Sequence, residues 1–234
     1  MTAIYQREMR SYLTSAVGYV FLAVFYAIAG YYFFATSLVS NSTDLSYVFS
    51  NLFSIVIFLV PMLTMRLFSE ERRQKTEQAL FTAPVSFTGV VMGKFLACLT
   101  MYLLGMGVTL LYFLVVCAFQ IPDVAVFCGN FLGLFLLGAA LCAIGIFISS
   151  LTESQVIAAV GSLAIGLFLL FANSFTPVVS SEWINAVMDG ISFYQHYLDF
   201  TRGLLNLSDL TFFISVTALF LFLTVRHLER RRIS

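Results

Sequence analysis

The chain has 234 residues, of which 60% are hydrophobic and 10% charged, with zero formal net charge. A soluble globular domain is nearer half apolar and a quarter charged, so the composition excludes an ordinary soluble fold. The neutral net charge hides strong segregation and says little about partners, but nothing suggests nucleic acid, because the basic residues hug the ends of apolar runs and form no patch interleaved with stacking aromatics.

The first fifteen residues have helical periodicity. Tyr5, Met9, Tyr12, Leu13 and Ala16 fall on one face, and Arg7, Arg10, Ser11 and Thr14 on the other. That pattern predicts a helix lying in the membrane interface. Apolar runs then predict six spans, at about 16–38, 47–68, 90–116, 127–151, 156–173 and 210–225, since about 20 residues cross a bilayer. The first run is longer than a signal-peptide core and lacks a convincing cleavage site after it. Pro61 is placed to kink the second span.

Between spans two and three lies the densest polar stretch, residues 66–86. Ser69 is placed to cap a helix, with Glu70 and Glu71 in its first turn. Glu71–Lys75 and Arg73–Glu77 are four-apart pairs of opposite sign, and Pro84 ends the pattern. The expectation is a short charged helix ending in exposed Leu80 and Phe81. Beyond span five, residues 174–208 are too polar to span yet rich in aromatics. Trp183, Ile184, Val187, Met188 and Ile191, and then Phe193, Tyr194, Tyr197 and Leu198, recur at helical spacing. They predict an amphipathic helical hairpin outside the membrane.

Eleven of the twelve Lys and Arg residues fall in the termini or in the connection between spans two and three, Lys94 being counted with that connection. Only Arg202 falls elsewhere. Cytoplasmic segments retain Lys and Arg, so both termini and that connection are expected in the cytoplasm. The spans are then read as free of ionisable residues, which argues against an ion-coupled transporter, an intramembrane protease or a metalloenzyme. An outer metal site at His196, Asp199 and Glu182 lacks ligand spacing. Cys98 and Cys142 read as small apolar residues within spans, while Cys117 and Cys128 flank one outer loop, where a disulfide is open.

Small residues trace two seams: Gly138, Cys142, Gly145 and Ser149 in span four, and Gln155, Ala159, Ser162, Gly166 and Asn173 in span five. Such seams let helices approach closely in lipid. Packing within the chain is the plain expectation, and a dimer cleft the alternative.

The run Glu71-Arg72-Arg73-Gln74-Lys75-Thr76-Glu77-Gln78-Ala79-Leu80, followed by Ala83-Pro84-Val85-Ser86 and Gly93-Lys94, resembles the signature of type-2 ABC transporter permeases. The end of the chain, 193–232, is most similar to the gliding-motility-type branch of small permeases. The resemblance covers the whole chain. It implies an all-α integral membrane permease domain over 1–234, a second copy or homologue beside it, and a separate cytoplasmic ATPase subunit that holds ATP and Mg. The polar segment becomes a coupling helix, with Glu70, Glu71, Arg72, Arg73, Lys75, Thr76, Glu77, Leu80 and Phe81 as the ATPase contact. Similar sequences often carry Gly where this chain has Lys75. Residues 89–95 resemble a phosphate-binding loop only superficially. They have one residue too few between glycines and Phe95 where Ser or Thr is needed, so no nucleotide, cofactor or catalytic role is expected of this chain. The implied function is ATP-driven export. The alternative is a non-transporting scaffold or mechanotransmission subunit on the same fold.

Overall fold

A computed structural model describes residues 1–39, 42–76, 86–119, 122–172, 190–204 and 206–233. Every element among them is helical: α1 (Thr2–Thr14), α2 (Ala16–Tyr32, continued by a π-turn Phe33–Leu38), α3 (Ser46–Thr64), α4 (Ser69–Arg73), α5 (Phe87–Phe119), α6 (Val124–Leu151), α7 (Gln155–Phe171), α8 (Phe193–Thr201) and α9 (Leu207–Ile233).

α6 is the central helix, packed against α3, α5, α7, α8 and α9. Its small residues explain why neighbours come so near. A Cβ at Gly138 would overlap the Tyr102 ring of α5, and one at Gly145 would overlap Thr64 of α3. Between them the Cys142 thiol lies 3.2 Å from that of Cys98. The first seam therefore faces neighbours within the chain. In the second, Ser162 and Gly166 are buried, with Gly166 against Ile57 of α3, while Ala159 is half-buried. Asn173 lies outside the described residues. In lipid there is little apolar driving force between helices, so close backbone approach and dispersion supply the cohesion.

Among the described residues, five helices are long and apolar enough to cross a membrane. The expected fifth span is α7, a shorter apolar helix of 17 residues. The last helix exceeds its expected bounds: α9 has 27 residues and runs on through Arg226 and Arg230, because nothing in that charged stretch breaks a helix. The expected amino-terminal helix, α1, is braced against the bundle. Its apolar side packs on α5 and α2, Tyr12 is buried, and the Tyr12 hydroxyl donates to the Leu63 carbonyl at 2.7 Å. Ser15 is extended between α1 and α2, and Gly18 meets the Tyr12 carbonyl where a Cβ would not fit. That elbow turns the chain from α1 into α2.

At the opposite end, α8 supplies the second half of the expected hairpin; the first half lies outside the described residues. The Tyr197 hydroxyl donates to the Phe49 carbonyl at 3.4 Å, and Asn130 of α6 donates to the Thr201 carbonyl at 3.4 Å. His196 Nδ1 lies 2.6 Å from Asp209 Oδ1, and its ring stacks on Phe212. Asp199 instead accepts from Asn206, so His196 and Asp199 hold different partners, and Glu182 lies outside the described residues. No cluster of three or more potential metal ligands occurs among the described residues. Cys117 and Cys128 are both free thiols.

Candidate functional site

The polar segment after α3 does not run on as one helix. Met65–Phe68 form turns, α4 lasts five residues, and Lys75 then adopts φ 57°. That left-handed conformation costs an L-residue roughly 1–2 kcal/mol and ends the helix. The expected Ser69 cap is also absent. The residue at the cap position is Phe68, and the Ser69 hydroxyl donates back to the Met65 carbonyl. The start of α4 is instead held from α6. Ser149 Oγ accepts from Phe68 N at 3.1 Å and Ser69 N at 3.2 Å, and donates to the Met65 carbonyl at 3.1 Å. One hydroxyl, the last residue of the α6 seam, thus fixes where α4 starts.

Lys94 overturns the reading of ion-free spans. It lies within α5, two turns from its start, and its side chain is 1% exposed. Its ammonium is 3.0 Å from Glu8 Oε1 of α1 and 3.0 Å from Glu71 Oε1 of α4. It also donates to the Leu67 carbonyl at 2.6 Å and lies over the Phe68 ring. Arg7 joins the node from solvent, 2.6 Å from Glu8 Oε1 and in contact with Glu71 Oε1. Burial opposes ionisation of Glu8, but Lys94 and Arg7 outweigh it and hold the carboxyl below its ordinary range. Burial likewise works against the Arg7 charge, yet Glu8 and Glu71 raise its pKa. A buried ammonium is tolerated only when paired and hydrogen-bonded, and both conditions are met.

Two further arginines fasten the segment. Arg66 donates to Ser11 and to Ser15, the latter at 2.8 Å, and lies over the Tyr12 ring. Arg72 donates to the Ser150 carbonyl at 3.1 Å and pairs with Glu153 at 3.4 Å. A cleft of about 320 Å³ opens among Arg7, Glu8, Arg66, Glu70, Glu71 and Lys94.

The nine residues expected to contact an ATPase therefore divide. Glu71 and Arg72 are half-buried in pairs within the chain, and Glu70 pairs with Arg66 at 3.8 Å. Arg73, Lys75 and Thr76 are exposed. Glu77, Leu80 and Phe81 lie outside the described residues. Of the two four-apart pairs, Glu71–Lys75 does not form, since Glu71 turns to Lys94 and Arg7, and Glu77, the partner expected for Arg73, lies outside the described residues. Sequence reasoning missed Glu8 and Lys94 as members of this node, and read Ser149 only as a packing residue of its seam. A signal existed for the first two: Glu8 is the sole acidic residue before Asp44, and Lys94 stands inside an otherwise apolar helical run.

Residues 36–225 match the family described as ABC-2 family transporter protein. No curated protein matches the chain. The matched stretch holds α3 to α8 and most of α9, including Glu71, Lys94 and Ser149, and with five apolar helices of membrane-crossing length it makes this a multi-pass membrane protein. The chain belongs to the ABC-2 transporter family, as a membrane permease component and not itself a catalyst.

Proposed function

We propose that this chain is the membrane permease subunit of an ATP-driven exporter, worked by a separate cytoplasmic ATPase subunit that binds ATP and Mg. α7 completes six spans, both termini face the cytoplasm, and a second copy or a homologue stands beside this one. The observation that carries the reading is the division within the polar segment. Its first half is bolted to α1, α5 and α6 through Lys94, Arg66, Arg72 and Ser149, while Arg73, Lys75 and Thr76 stand exposed. A push on the exposed half reaches three helices at once, which is what a coupling element must do. Glu77, Leu80 and Phe81 extend the same contact.

The interior of one copy is filled by zero-exposure residues such as Phe25, Leu137, Ile144 and Tyr102. Cargo would then pass along a surface shared by two copies. The lipid-facing, apolar character of the long helices favours an apolar or amphipathic cargo. The decisive experiment is to co-purify the chain with its ATPase and reconstitute both. Reversing charge with R73E and K75E should cut association and transport-coupled hydrolysis at least tenfold while the permease still folds. Undiminished coupling in that variant would refute the contact.

A further inference from the structure

Away from the charge node, α9 leaves much of its length exposed, including Leu219, Phe222 and Leu223. Where it passes the first turns of α5, a groove of about 380 Å³ opens between the two helices, walled by Val91 and Met92 on one side and Leu221 and Val225 on the other. Its rim is cationic. Arg226 lies 5.2 Å over the Phe222 ring and is 64% exposed, and Arg230 is exposed one turn further on, on the same side of α9. Glu229 accepts from Arg226 at 3.1 Å, leaving two guanidiniums against one carboxylate.

An apolar groove ending in excess positive charge, at the level where an apolar helix turns charged, complements a phospholipid. Methylenes match the floor, and guanidinium forks match phosphate. A zwitterionic headgroup would bring its own cation to an already cationic rim. A second copy of this chain, docked by a two-fold axis on the same patch, would bring the two arginine rims together.

We propose that the groove between α5 and α9 binds one anionic phospholipid, with an acyl chain on Met92, Leu221 and Val225 and its phosphate at Arg226 and Arg230. The permease reading bears only on which leaflet supplies it. Because α5 also carries Lys94, the lipid braces a helix that Glu8 and Glu71 hold as well.

The test uses the full-length protein in nanodiscs of phosphatidylcholine with a minor fraction of phosphatidylglycerol, analysed by native mass spectrometry after release. Wild type should retain about one lipid per chain, with phosphatidylglycerol enriched at least fivefold over its bulk fraction. R226Q/R230Q should return that enrichment to bulk, and M92W should lower retention of both lipids. R202Q, at the other end of the molecule, should change nothing. Equal retention of the two lipids by wild type, or undiminished enrichment in R226Q/R230Q, would overturn the site. So would a disulfide linking two chains through V225C, which would show a second copy in the groove. Orientation is read separately by a membrane-impermeant maleimide on R230C, with native Cys117 and Cys128 as the opposite-end reference. Labelling of R230C only from outside the cell would overturn the cytoplasmic assignment, while a retained lipid would still stand.

Discussion

Glu8 and Glu71 share one ammonium: each places Oε1 3.0 Å from the buried Lys94 Nζ. The two carboxylates come from α1 and α4, and the lysine from α5. A single charge therefore ties the amino-terminal helix to the polar segment through a long apolar helix. The family match begins at residue 36, so Glu8 lies outside it while Lys94 and Glu71 lie inside. Replacing Lys94 with Met keeps the length but leaves two carboxylates facing each other in a largely buried site. Breaking a buried pair in this way costs about 3–5 kcal/mol. K94M should lower the thermal midpoint sharply, and K94M/E8Q/E71Q should recover part of the loss. Equal midpoints for K94M and wild type would show that the node carries no load.

The same node sets a dependence on pH. The Glu8 carboxyl is held below its ordinary value, so its contribution is fully present above the unfolded pKa of about 4.3 and is lost as pH falls through the lower, folded value. Melting curves of purified protein should therefore lose stability on acidification below that range. In E8Q this component should be missing, and the wild-type and variant curves should converge at low pH. Parallel curves would contradict the assignment.

Lys75 holds φ 57°, where glycine carries no Cβ penalty. K75G should stabilise the chain by about 1 kcal/mol, and K75V should destabilise it, because branched side chains tolerate this region least. The charge matters separately. If Lys75 contacts the ATPase, K75G should weaken association even as it raises the midpoint, a split that co-purification and melting would resolve together.

Gly138 and Gly145 mark where α6 touches Tyr102 and Thr64 with no room for a methyl group. G138A and G145A should each cost about 1–3 kcal/mol by overpacking. Gly107 of α5 has nothing within 4 Å of where a Cβ would stand. G107A should therefore be neutral or mildly stabilising through its better helix propensity. Unfolding in detergent would separate the three.

Apolar runs of membrane length follow from local composition, because lipid demands that each backbone polar group be satisfied within its own helix. The chain of residues by itself therefore determined the helical class, the order of the long helices, the small-residue seam of α6 and the place of the polar segment. It determined these wherever neighbours along the chain decide the outcome. Partners distant in sequence were decided only by the tertiary structure. Lys94 reads as a loop charge until α1 and α4 bring Glu8 and Glu71 to it across 86 and 23 residues. Ser69 reads as a cap until the fold puts Phe68 at the cap position and Ser149, 80 residues from Ser69, accepts from the Phe68 and Ser69 amides. Glu71 has a suitable partner four residues on in Lys75, but the helix ends first and a buried ammonium holds it more strongly than an exposed one. The competition between a local and a distant partner turns on burial, which raises both the worth of a pair and the cost of leaving it unmade, and burial exists only once the helices have packed.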